Sequence, residues 1–195
     1  MILFLVLQCN SALLWAQTEP EEIKLDTDQF QEFFYESLLQ KGIENYDKAI
    51  VALDKADKFK PNNATVNYEL GKNYLALKDY KNAYNYFENA AKIDPKNKWF
   101  WVGMYDVTYE TKNFDQGITV INKLIEFDPK YKEDLTSLYM GTKQLEKALV
   151  LIQELDDTYG KSDRRELFKS QILSDGKFQN VEIKNLVSLI EKYPN

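Results

Sequence analysis

The sequence contains no histidine at all. That removes imidazole bases, histidine-dependent triads and histidine-ligated metals in one step. Its single cysteine, Cys9, lies in an apolar N-terminal stretch, so the chain beyond it offers no thiol nucleophile, cysteine zinc site or internal disulfide. Only Arg164 and Arg165 supply guanidinium groups, too few for an arginine clamp on phosphates. A formal charge of −6 argues against a nucleic-acid-binding surface, which needs clustered Lys and Arg to displace counterions. Gly-rich phosphate loops, nucleophile elbows and metal-ligand clusters are also missing, so neither catalysis nor a cofactor is expected. Glycine and proline are sparse, 7 and 5 in 195 residues, which favours helix over strand.

What is present is ordinary in hydropathy, 44% apolar and 29% charged, but rich in aromatics, chiefly 13 Tyr and 11 Phe. Those rings must fill a core or line a surface. Met1–Ala16, MILFLVLQCNSALLWA, carries no charged side chain, and the chain turns polar and acidic from Gln17. The stretch is too short and too interrupted to span a bilayer comfortably and reads as a secretory signal, cleaved after Ala16. It lacks the usual opening Lys or Arg, so an uncleaved apolar helix is the alternative. A lipid anchor at Cys9 is a further alternative, although Gln8 fits badly before a lipidated cysteine. Residues 17–27 read as an acidic leader or linker, and no membrane span is expected after the cleavage.

Internal periodicity decides the fold. Pro61, Pro95 and Pro129 stand 34 residues apart, and the same interval links Tyr46, Tyr80 and Phe114. It also links Ala49, Ala83 and Gly117, then Leu53, Phe87 and Ile121, then Ala56, Ala90 and Leu124. In the middle unit, Asn67, Leu70, Gly71, Tyr74 and Leu77 recur at helical spacing, and Tyr80, Ala83, Tyr84, Phe87, Ala90 and Ala91 do so again after a short turn at Lys78-Asp79. Pro95 then stops the second helix by removing a donor and restricting Asp94. Neither helix can bury its apolar stripe alone, so units must stack into an all-α solenoid of about five antiparallel helix pairs. The units fall at about 28–61, 62–95, 96–129, 130–159 and 160–195.

The register resembles the tetratricopeptide-repeat (TPR) family, of an exported bacterial type, which implies a right-handed solenoid. Leu70-Gly71, Tyr74, Ala83, Phe87, Ala90 and Pro95 stand where that family has Leu-Gly, Tyr, Ala, an aromatic, Ala and Pro. Trp101 takes the place of its Trp in the third unit. Two departures matter. Tyr105 replaces a small residue and Gly117 replaces Ala, so Tyr105 is expected to lie over Gly117. After Pro129 the helix from Lys132 stops a turn early near Gly141, and the Leu145, Ala148, Ile152, Leu155 stripe arrives after 31 rather than 34 residues. That shortening is expected to bend the superhelix. Asp163 with Glu166 is expected to open another helix through a capping box. A last helix should run to about Lys192 and bury Val181, Leu186, Leu189 and Ile190, leaving an uncapped end for further units or self-association.

The resemblance implies a concave face built from the first helix of each unit, on which a peptide or protein partner is held. The expected groove residues are Phe34, Tyr68, Lys72, Trp99, Val102, Asp106 and Tyr109, with Leu38, Thr65 and Leu75 beside them. Tyr68, Trp99 and Tyr109 would anchor a partner, and Lys72 and Asp106 would set its register. The bland alternative is that Trp99 and Tyr109 merely pack against the preceding unit. The family's pocket for a peptide's C-terminal carboxylate is not expected, because Phe34 and Leu38 replace polar donors. Asn63-Ala64-Thr65 spells a glycosylation sequon, and Glu21-Glu22 and Asp156-Asp157 are paired carboxylates better read as solvated charge. The expected function is a non-catalytic binding scaffold in a bacterial periplasm or envelope. The alternatives are the sensory or regulatory part of a larger receptor or enzyme, and a lipid-anchored subunit of an envelope assembly.

Overall fold

The computed structural model describes residues 28–174, all of whose regular structure is helical. The expected signal peptide, Cys9, the acidic leader and the last helix near Lys192 lie outside the described residues. Helices follow in hairpins: α1 (Gln29–Gly42) with α2 (Tyr46–Phe59), α3 (Ala64–Ala76) with α4 (Tyr80–Ile93), and α5 (Lys98–Glu110) with α6 (Phe114–Phe127). A 3-10 turn at Pro129–Tyr131 leads into α7 (Lys132–Gly141), then α8 (Leu145–Tyr159) and α9 (Asp163–Ser174). Each helix packs on the next in sequence. Of the described helices two apart, α3 and α5 make the substantial contact, which puts the first helices on the tighter, inner side. The architecture is an all-α solenoid.

The repeat period is written into the helix ends. Lys60, Asp94 and Asp128, each just before a repeat proline, are the C-caps of α2, α4 and α6, and their amides donate to Ala56, Ala90 and Leu124. Within the hairpins, Glu44, Lys78, Lys112 and Lys143 all adopt positive φ, between 56° and 60°. The amide of the next residue in each case reaches back over the turn, Asn45 to Gln40, Asp79 to Tyr74, Asn113 to Thr108 and Gln144 to Tyr139. The left-handed residue also donates, Lys78 to Leu75 and Lys112 to Tyr109, so two orphan carbonyls are satisfied at each closure. Asp79 and Asn113 then accept the amides of Asn82 and Gln116, closing one helix and capping the next. Asn63 of the sequon does cap duty too, accepting from Thr65 and Val66 at the start of α3.

Packing follows the predicted stripes. Ala49, Leu53 and Ala56, Ala83, Phe87 and Ala90, and Ile121 with Leu124 are buried in equivalent places. Leu77 is an exception at 40% exposed, because it is the C-cap of α3 rather than a member of its helical face. Phe87 is the keystone of the middle. A Cβ on Gly71 would sit 2.7 Å from its ring, and one on Gly103 would sit 2.6 Å from it. The ring is therefore held between its own unit's first helix and that of the next.

Three expectations are corrected. Asp156, expected as solvated charge, has a side chain only 5% exposed that accepts from Arg165. The atoms nearest a Cβ at Gly117 belong to Thr108 and Leu138, not to Tyr105. Thr108 belongs to the same pair and Leu138 arrives from α7 of the following unit, so the space is filled both within the pair and across the unit boundary. Ser162, not Asp163, caps α9: its hydroxyl accepts from the amide of Arg165 and its carbonyl from that of Glu166. The shortening of α7 is present: it has 10 residues where α3 and α5 have 13.

Candidate functional site

Four of the expected groove residues stand on α5, and helical spacing explains why. Trp99, Val102, Asp106 and Tyr109 recur at i, i+3, i+7 and i+10, one face of a single helix. Asn97 starts that helix by accepting from the amide of Trp99. Trp99 is 54% exposed and Tyr109 60% exposed, whereas Val102 is half-buried against the core. Ten residues separate the two exposed rings, about 15 Å along the axis, so they are separate contact points on one rail. Lys98 places its ammonium 4.9 Å from the centre of the Trp99 ring.

The other candidates divide. Tyr68 is half-buried, with its ring 5.7 Å from Phe87 and 5.2 Å from Phe100, so it serves packing as much as surface. Burial, with the charges of Glu69 and Asp106, raises its phenol pKa. Lys72 is already engaged. Its ammonium lies 2.5 Å from Glu69 and 4.5 Å from the centre of the Tyr68 ring. Burial, with the nearby charge of Lys41, outweighs Glu69 and lowers its pKa. Phe34 stacks on Phe30 at 5.8 Å and packs against Ile50, Leu53, Val66 and Leu70. The structure thus places Phe34 in the first hairpin's support and Lys72 in an internal ion cluster, apart from the rail on α5.

A cavity of about 420 Å³ opens where the C-terminal ends of α3 and α5 meet. Leu75, Ala76, Lys78, Tyr80, Asp106, Tyr109 and Glu110 line it. Burial first, and then the charge of Glu110, raises the pKa of Asp106. Its ionisation works against the fold: the raised carboxyl favours stability only in acid and loses that as pH climbs through its raised value. Further along, burial pushes Tyr105 up to about 12, helped by Asp134. Asp134 and Asp106 also act on Tyr131 of the 3-10 turn. An acidic and aromatic band therefore continues from α5 towards α7.

Sequence reasoning missed Glu69, Glu110, Tyr105, Tyr131 and Asp134 as parts of this face. Glu69 is buried and bridges Lys41 of α1, at 2.6 Å, to Lys72. Only the inner-helix positions of Glu110 and Asp134 could have signalled the rest. Among the described residues no His/Cys/Asp/Glu group could hold a metal, and no helix is long and apolar enough to cross a membrane.

Stacked helical hairpins with an inner face of exposed rings define the class, a TPR-like α-solenoid. Residues 74–135 match the family model described as tetratricopeptide repeat. Tetratricopeptide repeat protein 37 of Xenopus laevis is 36% identical over 93 residues, 44% of this chain; the match covers 6% of that relative's length. MamA (41-end) from Desulfovibrio magneticus RS-1 superposes with a TM-score of 0.64 over 85% of this chain and 93% of its own, at 17% identity. YrrB, described as a TPR protein with an unusual peptide-binding site, gives 0.63 over 87% and 89%, at 15% identity. The first TPR of Spaghetti (RPAP3), bound to the HSP90 peptide SRMEEVD, gives 0.54 over 62% and 98%, at 14% identity.

Proposed function

We propose that this chain is a non-catalytic scaffold that holds a peptide or protein partner along the inner face of its solenoid. The observation that carries the reading is the pair of exposed rings, Trp99 and Tyr109, on one face of α5, the second of them lining the cavity between α5 and α3. Large rings left in water at the centre of a well-packed array cost the free protein and benefit a complex, because aromatic anchors bury much area with few rotors. Solved TPR proteins of similar fold, YrrB and the first TPR of Spaghetti (RPAP3), are described with a peptide-binding site and a bound peptide, which supports the same use here.

The apolar, uncharged stretch Met1–Ala16 supports a setting in the bacterial envelope, reached by export. The test is affinity capture with the chain as bait, beside a Trp99→Ala, Tyr109→Ala double variant of equal helicity. Loss of the captured partner is expected; undiminished capture refutes the groove. Mass spectrometry of the same preparation, expressed with export available, should find Gln17 as the first residue, and an intact Met1 sinks the setting.

A further inference from the structure

We propose that the partner segment is cationic: lysine or arginine side chains of an extended peptide enter between Asp106, Glu110 and the ring of Tyr109. This rests on the inner-face reading above and names the chemistry of its occupant.

The argument is a balance of charge on one face. Four of the cations nearest this face are engaged within the fold. Lys41 and Lys72 share the buried carboxylate of Glu69. Arg165 is enclosed with Asp156 and Glu133, and Arg164 donates to Ser137 and lies over the ring of Phe168. The carboxylates of α5 are in the opposite condition. Asp106 and Glu110 both line the cavity, and among the described residues neither has an ion-pair partner within 4 Å. Lys78 lines the same cavity, yet the charge that acts on Asp106 is that of Glu110.

Asp106 and Glu110 stand four residues apart on one helix, the spacing at which like charges repel and weaken it. A sequence that keeps such a pair beside exposed rings breaks a local rule, and the compensation is expected from outside the chain. An incoming ammonium or guanidinium supplies it. It neutralises both carboxylates and can lie on the face of Tyr109, which attracts cations through its quadrupole. A peptide ending in acidic residues meets the same carboxylates as repulsion.

The experiment is fluorescence anisotropy of the full chain with two labelled probes: a short extended peptide alternating lysine with threonine, and its glutamate counterpart. The lysine probe should bind and the glutamate probe should not. Asp106→Asn with Glu110→Gln, near-isosteric and removing a repulsion, should weaken the lysine probe about tenfold without lowering the melting temperature. Equal binding of the two probes, or no effect of the carboxamide variant, overturns the cationic assignment. The inner-face reading is judged separately by the Trp99→Ala, Tyr109→Ala variant. If that variant loses its captured partner while the lysine probe never binds, the groove stands and the cationic occupant falls.

Discussion

Phe87 shows how much one residue of a repeat is asked to do. Its ring is 1% exposed and is approached by the backbone of Gly71 in its own unit and of Gly103 in the next. A methyl at Gly103 has nowhere to go, since the ring cannot retreat from Gly103 without meeting Gly71. Gly103→Ala should therefore cost about 1–3 kcal/mol in urea denaturation, the usual penalty of overfilling a packed core. Phe87→Leu in the same chain should recover part of that loss; purely additive costs would show that the two do not compete for one space. The third unit tolerates Tyr105 in the place of Gly71 because its equivalent of Phe87 is the smaller Ile121. Tyr105 instead joins the acidic and aromatic band, where its phenol is pushed up to about 12.

At the scale of elements, the hairpin closures carry the repeat. Four turns place Glu44, Lys78, Lys112 and Lys143 in the left-handed region, with the same backward hydrogen bonds each time. A side chain in that region is strained, and glycine is the residue that relieves it. Lys112→Gly should raise stability by about 0.5–1 kcal/mol, read as a higher melting temperature. An unchanged or lower melting temperature would mean that the lysine stem contributes more than the backbone strain costs. The sequence offered little warning of these positions, since three of the four residues are lysines, a type that does not advertise a left-handed turn.

The whole molecule is held by neighbours rather than by one centre. Buried clusters join α2 with α3, then α4 through α8, then α8 with α9. The last junction depends on Arg165, 4% exposed, which reaches Asp156 of α8 at 2.6 Å and also Glu133 of α7 and the carbonyl of Gly160. Removing it leaves Asp156 buried without its counter-charge. Arg165→Ala should cost about 3–5 kcal/mol at this joint. Hydrogen exchange should show α9 losing protection while α3 to α6 keep theirs, because stability in a solenoid is a sum of local interfaces. Uniform loss across all helices would contradict that nearest-neighbour picture. At the other end, Leu39 on α1 is 67% exposed, while Asn73 and Val107 at the same register of α3 and α5 are buried. An inner helix buries that position only when an earlier hairpin lies against it, and none is described before α1.

The sequence by itself determined the helical class, the 34-residue period, the prolines that end each second helix, the buried stripe around Phe87 and the face shared by Trp99, Val102, Asp106 and Tyr109. All of these are periodicities along one helix or one hairpin, and periodicity is a one-dimensional signal. Tertiary structure alone decided which partners cross between hairpins. It seated Leu138 over Gly117, drew Lys72 and Lys41 onto Glu69, and left Asp106 and Glu110 facing a cavity without an ion-pair partner within 4 Å. Such choices turn on where the next hairpin's side chains arrive, and that depends on the packing angle of whole helices, which no spacing within a single helix encodes.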